Sequence, residues 1–124
     1  MDTKTSTAKT SRQLLGRVGE ELAAQYLREH GWQILSRNYR ARGFELDLIA
    51  RRGTLTAIVE VRTRKNQNSC DIAETVTAEK LRSLRRGAAH WRDHANYHGA
   101  IRFDVITVNV SAGCAHLRHY PHFI

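Results

Sequence analysis

The sequence predicts an α/β domain in which helices flank a mixed sheet of about five strands, and three observations lead there. Apolar residues recur at helical spacing in two segments, 12–30 and 78–97, and with alternating or β-branched patterning in five others. The second helical segment lies between the third and fourth strand segments. A crossover of that kind joins parallel neighbours, whereas the short turns elsewhere join antiparallel ones. Finally, 124 residues with 41% apolar and 26% charged side chains suit one folded core and leave no room for a second.

Each element has its own warrant. Residues 1–11 hold six serines and threonines, two lysines and almost nothing to bury, which is the composition of a disordered tail. The folded domain is expected over 12–124. In the first helix Leu15, Val18, Leu22, Ala23, Tyr26 and Leu27 mark one face, and Gly31 supplies the stop. Strands follow at 32–40, 44–51 and 55–64, the last two joined through Arg52-Gly53 as an antiparallel hairpin. The stretch 65–71, with Asn66, Asn68 and Ser69, lacks periodicity and reads as a loop. The second helix, 78–97, has Thr77 as its N-cap and a stripe of Leu81, Leu84, Ala88, Trp91 and Ala95. Strands at 101–110 and 115–120 flank the turn Ser111-Ala112-Gly113, and Pro121 ends the last of them.

Composition narrows the functional classes. Twenty lysines and arginines against 12 acids give a net charge of +8 and a pI near 10.2, which calls for a polyanionic partner. Nucleic acid is the expected partner, with an anionic membrane surface second. The longest apolar runs fall far short of the ~20 residues that a membrane crossing needs, and no signal-peptide core precedes them, so a cytoplasmic protein is expected. Cys70 and Cys114 have no Cys-x-x-Cys spacing and read as free thiols. There is no Gly-rich phosphate loop and no serine or cysteine nucleophile arrangement, so nucleotide hydrolysis and acyl transfer lack support.

The hairpin carries the chemistry. Alternation puts Phe44, Leu46, Leu48 and Ala50 on one face with Leu55, Ala57, Val59 and Val61, and Glu45, Asp47, Glu60 and Arg62 on the other. A two-residue turn at Arg52-Gly53 sets Glu45 opposite Glu60, with Cβ atoms about 5 Å apart, and Asp47 opposite Ile58. Like charges so placed require a cation, a raised carboxyl pKa or abundant water. Mg²⁺ meets the first demand, since it binds through one or two carboxylates completed by water and phosphate oxygens. The plainer alternative is the solvated face of an amphipathic hairpin.

Glu20 stands apart from its neighbour Glu21, whose line of the helix carries Arg17 and Gln25 and so reads as solvated. The line of Glu20 holds only Gly16 and Ala24, and two glycines inside a helix, Gly16 and Gly19, suggest a close approach by another backbone or a ligand. Glu20 is therefore a candidate to reach the acidic site.

Five pieces in order, Gly16-Arg17-Val18-Gly19-Glu20, Gly31-Trp32-Gln33-Ile34-Leu35-Ser36-Arg37-Asn38-Tyr39-Arg40, Glu45-Leu46-Asp47-Leu48-Ile49-Ala50, Val59-Glu60-Val61-Arg62-Thr63-Arg64 and Arg102-Phe103-Asp104-Val105, resemble the YraN-like family of small bacterial proteins. That family is similar to archaeal Holliday-junction resolvases, which have the restriction-endonuclease-like fold and the site pattern Asp, spacer, Glu-x-Lys. The resemblance implies a metal-dependent endonuclease acting on branched or structured DNA, using Mg²⁺ or Mn²⁺ held by Glu20, Asp47 and Glu60. It also implies a two-fold homodimer. Arg62 occupies the lysine position of the pattern, and Phe44 stands where the family usually has a glycine. An arginine stays protonated and cannot act as a base, so Arg62 is expected to contact phosphate, with the nucleophile drawn from metal-bound water. A non-catalytic nucleic-acid-binding module on the same fold is the alternative.

Phosphate contacts are expected from Arg51, Arg52, Arg64 and Lys65 near the hairpin, and from Lys80, Arg82, Arg85 and Arg86 on the second helix. His90, His94 and His98 recur every four residues, a zinc spacing without the adjacent acid of a His-Glu-x-x-His site; contact to phosphate or solvent is the milder reading. Arg102 and Asp104 are explained equally well by pairing within the sheet.

Overall fold

The computed structural model describes residues 11–66 and 76–124. Its elements are α1 (Ser11–Glu29), β1 (Gln33–Ala41), β2 (Phe44–Arg52), β3 (Leu55–Lys65), α2 (Ala78–Ala95), β4 (Ala100–Ser111) and β5 (Cys114–Tyr120). The expected tail lies outside the described residues except for Ser11, which opens α1. The expected loop at 65–71 begins one residue later than anticipated, because Lys65 completes β3 by pairing with Val110. The rest of that loop, with Cys70, lies outside the described residues.

The five strands form one sheet in chain order, β1-β2-β3-β4-β5. β3 and β4 run parallel from Leu55↔Ala100 to Lys65↔Val110, and the other three pairings are antiparallel. This is the mixed α/β sheet the sequence predicts, and it agrees with a restriction-endonuclease-like architecture. α2 supplies the crossover between the parallel strands.

The helices cover opposite faces of the sheet. Ala23, Ala24 and Leu27 of α1 pack with Leu48, Ala50, Ala57, Val59, Ile106 and Val108, whereas Leu84, Ala88 and Trp91 of α2 pack with Ile49 and Ile58. Side chains at successive strand positions point to opposite faces, so β2 and β3 serve both cores. Gly31 ends α1 at φ +88, as Trp32 N–H reaches back to Leu27 O at 2.9 Å and Gly31 N–H to Arg28 O at 3.1 Å. Thr77 caps α2 by accepting from Lys80 N–H at 3.1 Å, and Asn96 closes it in the left-handed region, ahead of the expected end at Tyr97.

Three expectations need correction. Val18 is 50% exposed rather than buried, because α1 is turned so that Gly19 meets β3; a methyl group at Gly19 would overlap the Thr63 side chain. Gly16 meets nothing, so only one of the two glycines marks a close approach. The apolar residues of β2 also do not share one face. Phe44 and Leu46 belong to the α2 core and Leu48 and Ala50 to the α1 core, so the strand turns over at Asp47. Opposite this point, between the pairs Arg37↔Leu48 and Tyr39↔Leu46, Asn38 of β1 takes a left-handed φ of +51. An isolated left-handed residue locally twists a paired strand, which accounts for the change of face.

Candidate active site

Asp47 lies where β2 leaves β3. The last ladder pair is Leu48↔Val59, and beyond it the Val61 N–H donates to Asp47 Oδ2 at 2.8 Å instead of to a strand carbonyl. The hairpin turns on Gly53-Thr54, since Arg52 pairs with Leu55, and not on Arg52-Gly53. Ile58 consequently faces Ile49 rather than Asp47, a shift of two positions that keeps each residue's face but changes its neighbour. Carried one step past the ladder, this register sets Asp47, not Glu45, across from Glu60. Glu45 is exposed and stands 3.8 Å from Arg40.

Glu60 is only 3% exposed. Its Oε2 is 3.2 Å from Lys80 Nζ, and its buried Oε1 meets no N–H donor, so that apart from Lys80 the partner of this carboxyl is the Asp47 carboxyl, with which it shares a hydrogen bond when one of the two is protonated. Burial, reinforced by the neighbouring charge of Asp47 and opposed by Lys80, pushes the Glu60 carboxyl up to about 8. Asp47 is also raised, by burial first, against the Val61 hydrogen bond and Lys80. Glu20 completes the trend. It is half-buried on α1 and raised by burial and then by Asp47, with an Asn38 hydrogen bond opposing. Three acids from three elements thus share one region of negative potential.

They do not form a closed ligand set. Among the described residues no group of three or more histidines, cysteines, aspartates or glutamates is arranged to hold a metal ion. Asp47 and Glu60 converge, while Glu20 lines a separate groove between α1 and β1 with Arg17, Arg37 and Arg40. Two converging carboxyls, close enough to share a hydrogen bond, still fit a hard divalent cation that draws its other ligands from water and phosphate.

The basic residues divide by position. Arg62, Lys80, Arg82 and Arg86 line one groove of about 620 Å³ together with one acid, Glu79, and with Gly43, Thr77 and Ser83. Arg86 is held there by donating to Gly43 O at 3.0 Å. Arg62 has a buried Nε without a partner. Arg51 and Arg52 lie at the far end of β2, where Arg51 sits over the Tyr97 ring and Arg52 over Trp32 while donating to His30 O. Those two stabilise the fold instead of lining the groove. Arg64 and Lys65 continue β3 beyond Arg62, and Arg85 is exposed on α2 away from the groove lining.

The histidine line separates as well. His90 Nδ1 is 2.7 Å from the Tyr39 hydroxyl and its ring stacks with His94, whereas His98 falls past the helix end and pairs with Asn96 Oδ1. The pairing of Arg102 with Asp104 within the sheet is the one the sequence suggests, but His119 and His122, which complete the Asp104 network, have no signal there. Asp104 accepts from Arg102 Nε and Nη2 at 2.8 Å each and from His122 N–H at 3.0 Å, and His119 Nε2 lies 2.8 Å away. Burial opposes ionisation there, but these partners prevail and hold the carboxyl at about 2. Nor was the Lys80–Glu60 pair visible, because the residues lie 20 positions apart on different elements.

The model of Uncharacterised protein family UPF0102, the YraN-like family, matches residues 19–108, a span from Gly19 into β4 that contains Glu20, Asp47 and Glu60. The chain belongs to the UPF0102 family. Among UPF0102 proteins, that of Leifsonia xyli subsp. xyli is 41% identical over 109 residues, covering 86% of this chain and 92% of the relative. The UPF0102 protein of Nocardia farcinica is 46% identical over 103 residues, covering 82% and 81%. That of Anaeromyxobacter dehalogenans is 42% identical over 111 residues, covering 89% and 83%. No helix among the described residues of this UPF0102 protein is long and apolar enough to cross a membrane.

Proposed function

We propose that this UPF0102 protein binds nucleic acid and acts as a metal-dependent endonuclease on branched or otherwise structured DNA. The observation that carries the reading is the convergence of Asp47 and Glu60 in a largely buried site, linked through Lys80 to a groove that Arg62, Arg82 and Arg86 line together with Glu79. Two carboxyls held together in a buried site cost free energy unless one keeps a proton or a cation claims both, and a purely structural role gives no reason to place them so.

Asp47 and Glu60 would hold Mg²⁺ or Mn²⁺, with Glu20 adding negative potential from behind Asp47. The ion, when bound, would supply charge neutralisation at phosphorus and an acidified water. The chain's own residues do the remaining work. Val61 N–H fixes the Asp47 carboxylate, and Arg62 and Arg86 offer guanidinium donors to phosphate oxygens. Arg62 cannot take a proton, so its part is binding and orientation.

The ion pair between Lys80 and Glu60 favours a second reading, in which an already neutralised site serves a binding module without catalysis. One experiment separates them. Wild type, Asp47→Asn and Glu60→Gln are incubated with four-way junction, duplex, single-stranded DNA and RNA in Mg²⁺, Mn²⁺ or EDTA. Metal-dependent cleavage lost in both variants supports the enzyme. Binding retained by all three with no cleavage leaves the module, and failure to bind any nucleic acid at moderate salt refutes both.

A further inference from the structure

We propose that Lys80, reaching across from the first turn of α2, is the built-in cation of the Asp47/Glu60 pair. It holds Glu60 in the metal-free protein, yields that carboxylate to a divalent ion, and is then left facing the groove as a phosphate contact. The inference rests on the metal-dependent reading above and adds the residue that Arg62 leaves wanting.

The geometry points to Lys80 and to no other cation. Among the described residues Lys80 alone is ion-paired with either acid, at 3.2 Å from Glu60 Oε2. Arg62, two residues along the strand from Glu60, lines the groove instead. The lysine is placed rather than merely nearby, because its backbone N–H is the one capped by Thr77 Oγ1 at 3.1 Å. That cap fixes the first turn of α2, from which the Lys80 side chain reaches Glu60 of β3, with the Lys80 side chain 31% exposed and the carboxylate it meets 4% exposed. One end of the contact is therefore open to the groove and the other closed.

Electrostatics supplies the exchange. A buried carboxylate needs a countercharge, and a compact ammonium on a flexible stem serves while remaining free to move. A divalent ion carries twice that charge and can bind Asp47 and Glu60 together, whereas the ammonium is ion-paired with Glu60 Oε2 alone and leaves the two carboxyls in contact with each other. Lys80 and the ion therefore compete for one carboxylate. After exchange the ammonium lies beside Arg62, Arg82 and Arg86, where the phosphate backbone provides its new partner.

The test measures Mn²⁺ affinity by calorimetry at pH 8 without nucleic acid, for wild type, Lys80→Met, Lys80→Gln, Lys80→Arg and Arg82→Met, each first confirmed as folded by circular dichroism. Lys80→Met and Lys80→Gln are expected to bind Mn²⁺ at least tenfold more tightly than wild type. Lys80→Arg, which keeps the charge, and Arg82→Met, which removes a groove charge not paired with Glu60, should stay within threefold. Unchanged or weaker Mn²⁺ binding on loss of the Lys80 charge overturns the proposal, as does an equal gain in Arg82→Met. In the cleavage assay Lys80→Met should lose at least a hundredfold in rate; a wild-type rate overturns the phosphate role. If wild type binds Mn²⁺ but cuts nothing, the endonuclease reading fails while the affinity comparison still decides the exchange. If none of the proteins binds Mn²⁺, both fall.

Discussion

Glu60→Gln should convert a pH-dependent protein into one much less sensitive to pH. The folded carboxyl titrates at about 8 and an ordinary glutamate near 4.5, so between those values the native state keeps a proton that the unfolded chain has lost. Stability falls as pH rises through that window and levels off above about 8. At ~1.4 kcal/mol per pH unit, the full window corresponds to about 5 kcal/mol, of which about 4 kcal/mol develops between pH 5 and pH 9. Glutamine keeps the shape without the charge, so the variant should gain on wild type by that amount over the same interval. Urea unfolding of both proteins at half-unit steps from pH 5 to 9 measures the gap. Addition of Mg²⁺ at pH 9 should restore wild type and leave the variant unchanged, because the ion requires the ionised Glu60. A gap that does not change with pH would refute the reasoning, since it would mean that Glu60 ionises as freely in the folded protein as in the unfolded one.

Other perturbations probe the rest of the frame. Asp104→Asn should cost about 3–5 kcal/mol in urea unfolding, because it leaves the largely buried Arg102 without its countercharge. In wild type the Asp104 contribution is fully present above pH 3.8 and is lost as pH falls through about 2, so acid unfolding should steepen in that range and the variant should lack that step. Gly19→Ala should destabilise by about 1–3 kcal/mol through its overlap with Thr63, whereas Gly16→Ala, which meets nothing, should stabilise by up to about 1 kcal/mol; thermal melts give both signs. Arg86→Ala should lower the salt slope of duplex binding by about 0.9, and Arg52→Ala should leave the slope unchanged while lowering the melting temperature.

The acid site was legible in part. The alternation of β2 and β3 marked Asp47 and Glu60, and the small residues around Glu20 marked its line of the helix. Alternation with a turn at Arg52-Gly53 sets Glu45 across from Glu60, but the turn lies one residue later, and that moves every cross-strand pair by two positions. The same alternation suggested a single apolar face, which the left-handed Asn38 and the turning-over of β2 at Asp47 divide between two cores. Among the basic residues, charge alone could not separate Arg86, held at the groove by Gly43 O, from Arg52, laid over Trp32.

Sequence by itself determined the elements, their order and the parallel join of β3 to β4, because periodicity, capping and chain connectivity act over short distances along the chain. It also determined which acids are candidates. Only the tertiary structure decided what surrounds them: that Lys80 of α2 meets Glu60 of β3, and that Asp47 and Glu60 are buried against each other. Burial and charge pairing depend on distances in space between residues far apart in the chain, and those are set by the way α2 crosses the sheet rather than by local pattern.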